Sequence, residues 1–391
     1  MTVFTKEEYL QRLEKTKSRM ENQGLDVIVL ADPANMNYLT GYDGWSFYTP
    51  QVVLVALHED EPQLIVRGMD VNGARHTVWL SEASYQGYPD GLVQVADKHP
   101  MHFVGEFIKN KGWAGQRIGL EKDAYYFNAR CLEELQKTLP GVAFQDCSLL
   151  VNWVRSIKSQ AEILFMQEAG KIAEQVMQTA LDTITPGKRE CEAVAEVFRS
   201  QIRGLPEFGG DYPAIVPMMP TGSKTSAPHL TWTEEPYQQE QPINLELSGC
   251  RHRYHAPLAR TAWIGRKPPQ KLEDLAQNTV DGLNLTLEAI KPGLACEEVE
   301  LVWRRHIAKL GLEKESRIAY ALGLNYPPDW GEHTMSFRPG DTTVLRPNMT
   351  FHMILGMWMD DFGFECSESL RITEQGCETF SDFPRKLFVV D

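Results

Sequence analysis

The chain has 391 residues and carries 39 Lys and Arg against 53 Asp and Glu, a formal charge of −14. That length suggests two domains, and 42% hydrophobic with 24% charged residues describes a globular chain, not a disordered one. The acidic surplus argues against nucleic acid or an anionic membrane as partner, because both need basic surface.

Val52 to Leu57 is too short an apolar run to cross a bilayer. The start, MTVFTKEEYLQRLEK, lacks the apolar centre of a signal peptide, so a cytoplasmic protein is expected. Seven scattered cysteines form no C-x-x-C pair, which gives no sign of a disulfide framework or zinc ribbon.

In chain order, Lys6 to Gln23 reads as a helix and Leu25 to Ala31 as a buried strand. Val52 to Leu57 and Leu64 to Arg67 read as paired strands across the polar turn HEDEPQ. Arg117 to Glu121 is a further strand, followed by the helical stretch ARCLEELQKTL. Strands alternating with helices indicate an α/β domain. A long helix starts near Ser159, with Phe165, Ala169, Ile172, Val176, Ala180 and Ile184 on one face, and stops at Pro186-Gly187. The domains are therefore expected at 1–157 and 158–391.

The second part repeats itself. TITPGKRECEAVAEVF and AIKPGLACEEVELVW are both helix, Pro-Gly, turn with Cys-Glu, helix, and the Pro-Gly pairs lie 106 residues apart. Two similar halves would bury a sheet between their helices. H-E-x-x-H, G-x-S-x-G, Walker and G-x-G-x-x-G motifs are absent. His252 and His255 lie in a strand-like run without thiol or acid at close ligand spacing, and read as surface or structural histidines.

Several stretches together resemble the creatinase and aminopeptidase P superfamily, with its pita-bread fold. They are Asn35-Met36-Asn37-Tyr38-Leu39-Thr40-Gly41-Tyr42, IKSQAEILFMQEAGKIAE, the paired TPG and KPG helices, and LARTAW around Arg260-Thr261. The resemblance implies a smaller N-terminal α/β domain, a catalytic pita-bread α/β domain of two pseudo-symmetric halves, and a homodimer. Metal-dependent members use two aspartates, a histidine and two glutamates. By position these fall on Glu246, Pro257, Tyr320, Ile354 and Ser367. One carboxylate of five remains, and proline, isoleucine and tyrosine are no substitutes for hard ligands of manganese, zinc or cobalt. No metal or other cofactor is expected. The superfamily's catalytic histidine falls on His229.

Without a metal to polarise a carbonyl and activate water, the substrate must bring its own electrophile. A protonated amidine does so, and a carboxylate can stabilise or attack its carbon. The whole-chain pattern resembles the metal-free ectoine hydrolases. That implies a small zwitterionic amidine as substrate, opened to N-acetyl-diaminobutyrate, with Glu246 as active carboxylate and His229 as proton shuttle.

Further candidates are His352 and Glu365 as catalytic or binding groups, Tyr320 filling the vacated ligand space, and Trp45, Phe47 and Tyr48 as aromatic faces for a flat cation. Arg260 and Arg338 are candidate clamps for the substrate carboxylate. The competing readings are a creatinase-like hydrolase of another guanidino or amidine compound, and a metal-free pseudo-peptidase scaffold. The glutamate that creatinase carries just before the R-T pair is here Ala259, and its second guanidinium-binding glutamate is Ser367, which weakens the first; the scaffold predicts no turnover.

Overall fold

A computed structural model describes residues 2–391 and divides into two compact units, residues 2–155 and Ser156–Asp391. In the first unit six helices, α1 (Lys6–Asn22), α2 (Pro33–Thr40), α3 (Val71–Thr77), α4 (Pro100–Asn110), α5 (Ala129–Thr138) and α6 (Leu150–Arg155), accompany one sheet. Its strands are β1 (Val27–Leu30), β2 (Val52–Ala56), β3 (Gln63–Arg67), β4 (Tyr85–Tyr88), β5 (Ile118–Leu120) and β6 (Gln145–Asp146), in the order β4-β3-β2-β1-β5-β6. β2 and β3 pair antiparallel, as the HEDEPQ turn requires. β1 is buried along its whole length, with apolar clusters against both faces of the sheet.

The NMNYLTGY stretch is α2 and its cap. Gly41 adopts φ +81°, and a Cβ there would press on the Thr77 carbonyl and the Tyr9 hydroxyl. Asn35 donates to Glu121 and Asn152 and accepts from Arg155, so this motif ties helices to the end of the sheet.

The second unit opens with α7 (Gln160–Thr183). Ser159 caps it, accepting from the Glu162 amide while the Glu162 carboxylate accepts from the Ser159 amide. α8 (Glu190–Arg203) leads to the long hairpin β7 (Gln241–Arg251) and β8 (Tyr254–Ile264). The second half repeats the order with α9 (Gln270–Ala289), α10 (Cys296–Ala308), β9 (Ala319–Leu322), β10 (Gly331–Phe337), β11 (Thr350–Trp358) and β12 (Gly363–Ile372). β13 (Cys377–Thr379) and β14 (Phe388–Val390) complete sheets ordered β10-β9-β11-β12-β13 and β14-β8-β7. The echo in the sequence is thus two helix-pair and hairpin halves.

His252 differs from its sequence expectation. With Arg253 it forms the turn of the β7–β8 hairpin, both with positive φ (48° and 68°). A two-residue turn with both φ positive suits the twist of a hairpin.

Candidate functional site

Strand alternation assembles the site. In β7–β8 Glu246 stands opposite Ala259, Asn244 opposite Thr261 and Ser248 opposite Pro257, so these side chains share one face. In β11–β12 Ile354 stands opposite Ser367 and Gly356 opposite Glu365, placing His352, Ile354, Gly356, Trp358, Glu365 and Ser367 on one face. Hydrogen bonds lock the two faces together. The Ala259 amide donates to Ser367 Oγ at 2.7 Å, Ser369 Oγ donates to the Pro257 carbonyl at 2.7 Å, and the Glu365 amide donates to Thr261 Oγ1 at 2.9 Å.

Glu246 is 6% exposed. Its backbone is fixed by a bridge to Met218, but its carboxylate has no hydrogen-bond partner among the described residues. Burial, with the Asp329 charge nearby, pushes it up to about 8. Glu365, on the opposing strands, is raised well above the ordinary carboxylate range by burial and by Glu246, while Lys314 opposes the rise. With both acids raised by burial and Glu246 raising Glu365 further, the two cannot both ionise freely, so the pair holds a proton near neutral pH.

Lys314 is missed by sequence reasoning, since the loop after α10 has no motif. It is buried, donates to the Gly356 carbonyl at 2.7 Å and lies 4.3 Å from the Trp358 ring centre. Burial lowers it to about 8. Gly356 is required here, because a Cβ would collide with the Trp358 indole. Pro228, Lys314, Gly356, Trp358 and Phe362 line a cavity of about 1040 Å³. His229 follows Pro228 in an exposed loop, and no hydrogen bond or ion pair ties its ring among the described residues.

Tyr320 and His352 do come together. Tyr320 Oη lies 2.8 Å from His352 Nδ1 and accepts from Trp330 Nε1 at 2.8 Å, and His352 Nε2 lies 2.8 Å from Ser367 Oγ. Burial lowers His352 to about 3, with the Arg317 charge adding to the effect, so its imidazole is neutral. Trp330 and Arg317, whose guanidinium lies 4.6 Å from the Tyr320 ring centre, are also absent from any sequence signal.

Arg260 is not free to clamp a substrate. It is fully buried and its five N–H groups are all committed: Nε to the Pro384 carbonyl, one terminal nitrogen to the Ala259 and Ser367 carbonyls, the other to Glu368 and the Phe383 carbonyl. Its ionic partner is Glu368, which turns to the face opposite Ser367, and not Glu246. Arg338 is exposed and donates to Ser336 Oγ at 3.2 Å. In the first unit Phe47 is 9% exposed and packs edge-on against Tyr126, so it is a core side chain of that unit and offers no open face. Trp45 and Tyr48 are exposed at 58% and 64%.

The five positions that correspond to metal ligands do not make a metal site. Pro257 and Ile354 have no donor atom. The Tyr320 and Ser367 oxygens are already engaged with N–H groups and His352. Among the described residues no group of three or more His, Cys, Asp or Glu side chains is placed to hold an ion. One carboxylate with these neighbours does not fit a dinuclear centre.

Comparison with known proteins gives the lineage. Residues 12–157 match the creatinase/prolidase N-terminal domain, and residues 165–374 match metallopeptidase family M24. The chain is 45% identical to the ectoine hydrolase of Halomonas elongata, over 99% of this chain and 98% of that one. It is 42% identical to an uncharacterized hydrolase/peptidase of Sinorhizobium fredii, over 99% of each. In fold it is similar to a dipeptidase from Mycobacterium ulcerans, with TM-score 0.82 at 19% identity over 99% of each chain. The prolidase of Pyrococcus horikoshii gives 0.80 at 21% identity, covering 96% of this chain and 99% of that one. The chain therefore belongs to metallopeptidase family M24 and carries the creatinase/prolidase N-terminal domain.

Proposed function

We propose that this hydrolase opens the ring of ectoine, a cyclic amidine bearing a carboxylate, to N-acetyl-diaminobutyrate without a metal. The observation that carries the reading is Glu246, a buried carboxylate with no hydrogen-bond partner among the described residues, on a face where the neighbouring ligand positions hold Pro257, Ile354 and Ser367. An unpartnered buried charge is costly, and an amidinium removes that cost by pairing with it. The positive substrate restores Glu246 to its ionised form and sets its oxygen against the amidine carbon. The likeness to the Halomonas elongata ectoine hydrolase supports the same substrate class.

Glu246 attacks or stabilises the amidine carbon. His229, carried by the loop beside the Pro228-lined cavity, takes up the proton of the incoming water. With Arg260 saturated, Lys314, buried and lining this cavity, is the cation offered to the substrate carboxylate. The enzyme acts as a cytoplasmic homodimer, a reading carried by the resemblance and checked by light scattering.

The test is chelator-treated protein incubated with ectoine and followed by proton NMR, beside Glu246→Ala and His229→Ala. Turnover by the chelated wild type, none by Glu246→Ala and a reduced rate for His229→Ala supports the reading. No turnover of ectoine returns creatine-like guanidino compounds and the scaffold reading to the front. Activity lost on chelation and restored by metal overturns the metal-free mechanism.

A further inference from the structure

The hydrogen-bond chain around His352 has one proton too many for its junctions. Its donors are Trp330 Nε1–H, the Tyr320 hydroxyl, one N–H of the neutral His352 ring, the Ser367 hydroxyl and the Ala259 amide. Its junctions are Trp330 to Tyr320, Tyr320 to His352, His352 to Ser367, and Ala259 to Ser367. Tryptophan and the amide only donate. One hydroxyl proton is therefore left over, on Ser367 or on Tyr320.

Burial decides which. Ser367 is 0% exposed and its hydroxyl has no further partner among the described residues, so a spare proton there is an unsatisfied buried donor. Tyr320 is half-buried, and the carboxylate that acts most strongly on it is Glu246. The spare proton belongs on Tyr320. It follows that Ser367 donates to His352 Nε2, that His352 Nδ1–H donates to Tyr320 Oη, and that this oxygen accepts two N–H groups. Burial and Glu246 keep the phenol protonated at neutral pH, ready to give a proton, and the two N–H donors stabilise the phenolate that giving it leaves behind.

We propose that Tyr320 is the acid–base group of ring opening, with His352, Ser367 and Trp330 as its positioning residues. The inference rests on the cyclic-amidine reading above. In the first step a Glu246 oxygen bonds to the amidine carbon and the bond from that carbon to one ring nitrogen breaks. The nitrogen keeps the electron pair and takes the Tyr320 proton. The carbon stays joined to the second nitrogen and to Glu246. In the second step a water oxygen bonds to this carbon, and one water proton passes, with His229 as carrier, back to the phenolate. Glu246 then leaves as carboxylate, the new oxygen becomes the amide carbonyl, and the remaining hydroxyl proton goes to the freed amine.

The experiment compares wild type, Tyr320→Phe and protein with a fluorinated tyrosine at position 320. Phenylalanine keeps the ring and loses the acid, so kcat is expected to fall about 10²–10⁴-fold with KM within a few-fold of wild type. The fluorinated phenol is more acidic and keeps the fold even where phenylalanine does not, so the alkaline limb of its kcat profile is expected at lower pH. Ser367→Ala lets the His352 ring change tautomer, and is expected to lower kcat while adding back no acid. A wild type that opens ectoine, with a fluorinated variant whose pH profile does not move, overturns the role of Tyr320 and leaves the amidine reading standing. A wild type that opens no cyclic amidine overturns that reading itself, and this proposal with it.

Discussion

Two buried glutamates, one in each unit, look alike in the sequence and behave as opposites. Glu121 follows β5 in the first unit, is 2% exposed, and is pushed up to about 7 by burial and by Asp32. Glu246 lies on β7, is 6% exposed, and is pushed up to about 8 by burial and by Asp329. Glu121 accepts from the Ala31 amide at 2.7 Å, the Asp32 amide at 2.9 Å and Asn35 Nδ2 at 2.6 Å. The Glu246 carboxylate accepts from no group among the described residues. A raised carboxylate alone does not mark an active site. What separates the two is whether the fold has already answered the charge.

The largest effect expected from that difference is on turnover. Glu246→Gln keeps the shape and removes the attacking charge, so ectoine hydrolysis is expected to fall about 10³-fold or more. Stability should move the other way. Between the ordinary value of 4.5 and about 8, the unfolded chain ionises Glu246 while the folded chain holds its proton. The folded state binds more protons in that window, so stability is full below it and falls as pH rises through it, by at most about 1.4 kcal/mol per pH unit. The glutamine variant loses this slope. Its Tm at pH 8 is expected above wild type, with convergence near pH 4, read by thermal denaturation across pH. An inactive variant that is also less stable at pH 8 would place Glu246 among the structural acids.

Arg260 supplies the structural extreme. Arg260→Ala removes one of the two arginines that pair with Glu368, which is 0% exposed and keeps only Arg385 and Ser381, and frees four carbonyls. A loss of about 3–5 kcal/mol is expected, seen as a lower denaturant midpoint. Glu121→Gln comes next in size. Its amide NH₂ must face either Asn35 or the two backbone N–H groups, all donors, so a loss of about 1–3 kcal/mol is expected. That change leaves the kcat of the surviving folded fraction at the wild-type value. A neutral Glu121→Gln would break the comparison, because it would mean that Glu121's three accepted bonds add nothing.

What could be read in advance follows the range of the interactions. Local patterns were legible: the apolar face and Ser159 cap of α7, the β2–β3 pair, and the repeated helix–Pro-Gly–helix units. The quoted motifs were legible too, but their residues turn out to be largely structural. Lys158 of the IKSQAE stretch forms a buried ion pair with Glu332 at 2.6 Å, and Glu162 accepts from the Tyr254 hydroxyl. The site was only half legible. Glu246 and His352 stand in strands whose alternation fixes their face. Trp330, Arg317 and Lys314 come from turns and loops, where no period says which way a side chain points. Arg260 was misread for the same reason: its partner Glu368 lies 108 residues away, and no local pattern announces it.

The smallest effect, and the one most specific to Glu246, is a proton. Held up to about 8 by burial and by the Asp329 charge, Glu246 is mostly neutral at pH 7. An amidinium brought against it favours the carboxylate and lowers its pKa. Binding of the cationic substrate at pH 7 is therefore expected to release close to one proton, falling towards none above pH 9, where Glu246 is already ionised. Calorimetry in buffers of different ionisation enthalpy reads that number from the buffer dependence of the binding heat. Glu246→Gln, which binds without turnover, should release none, and Glu121→Gln should release as much as wild type. Equal release from wild type and Glu246→Gln would move the titrating group to Glu365, the other acid of the pair, and with it the carboxylate that meets the substrate.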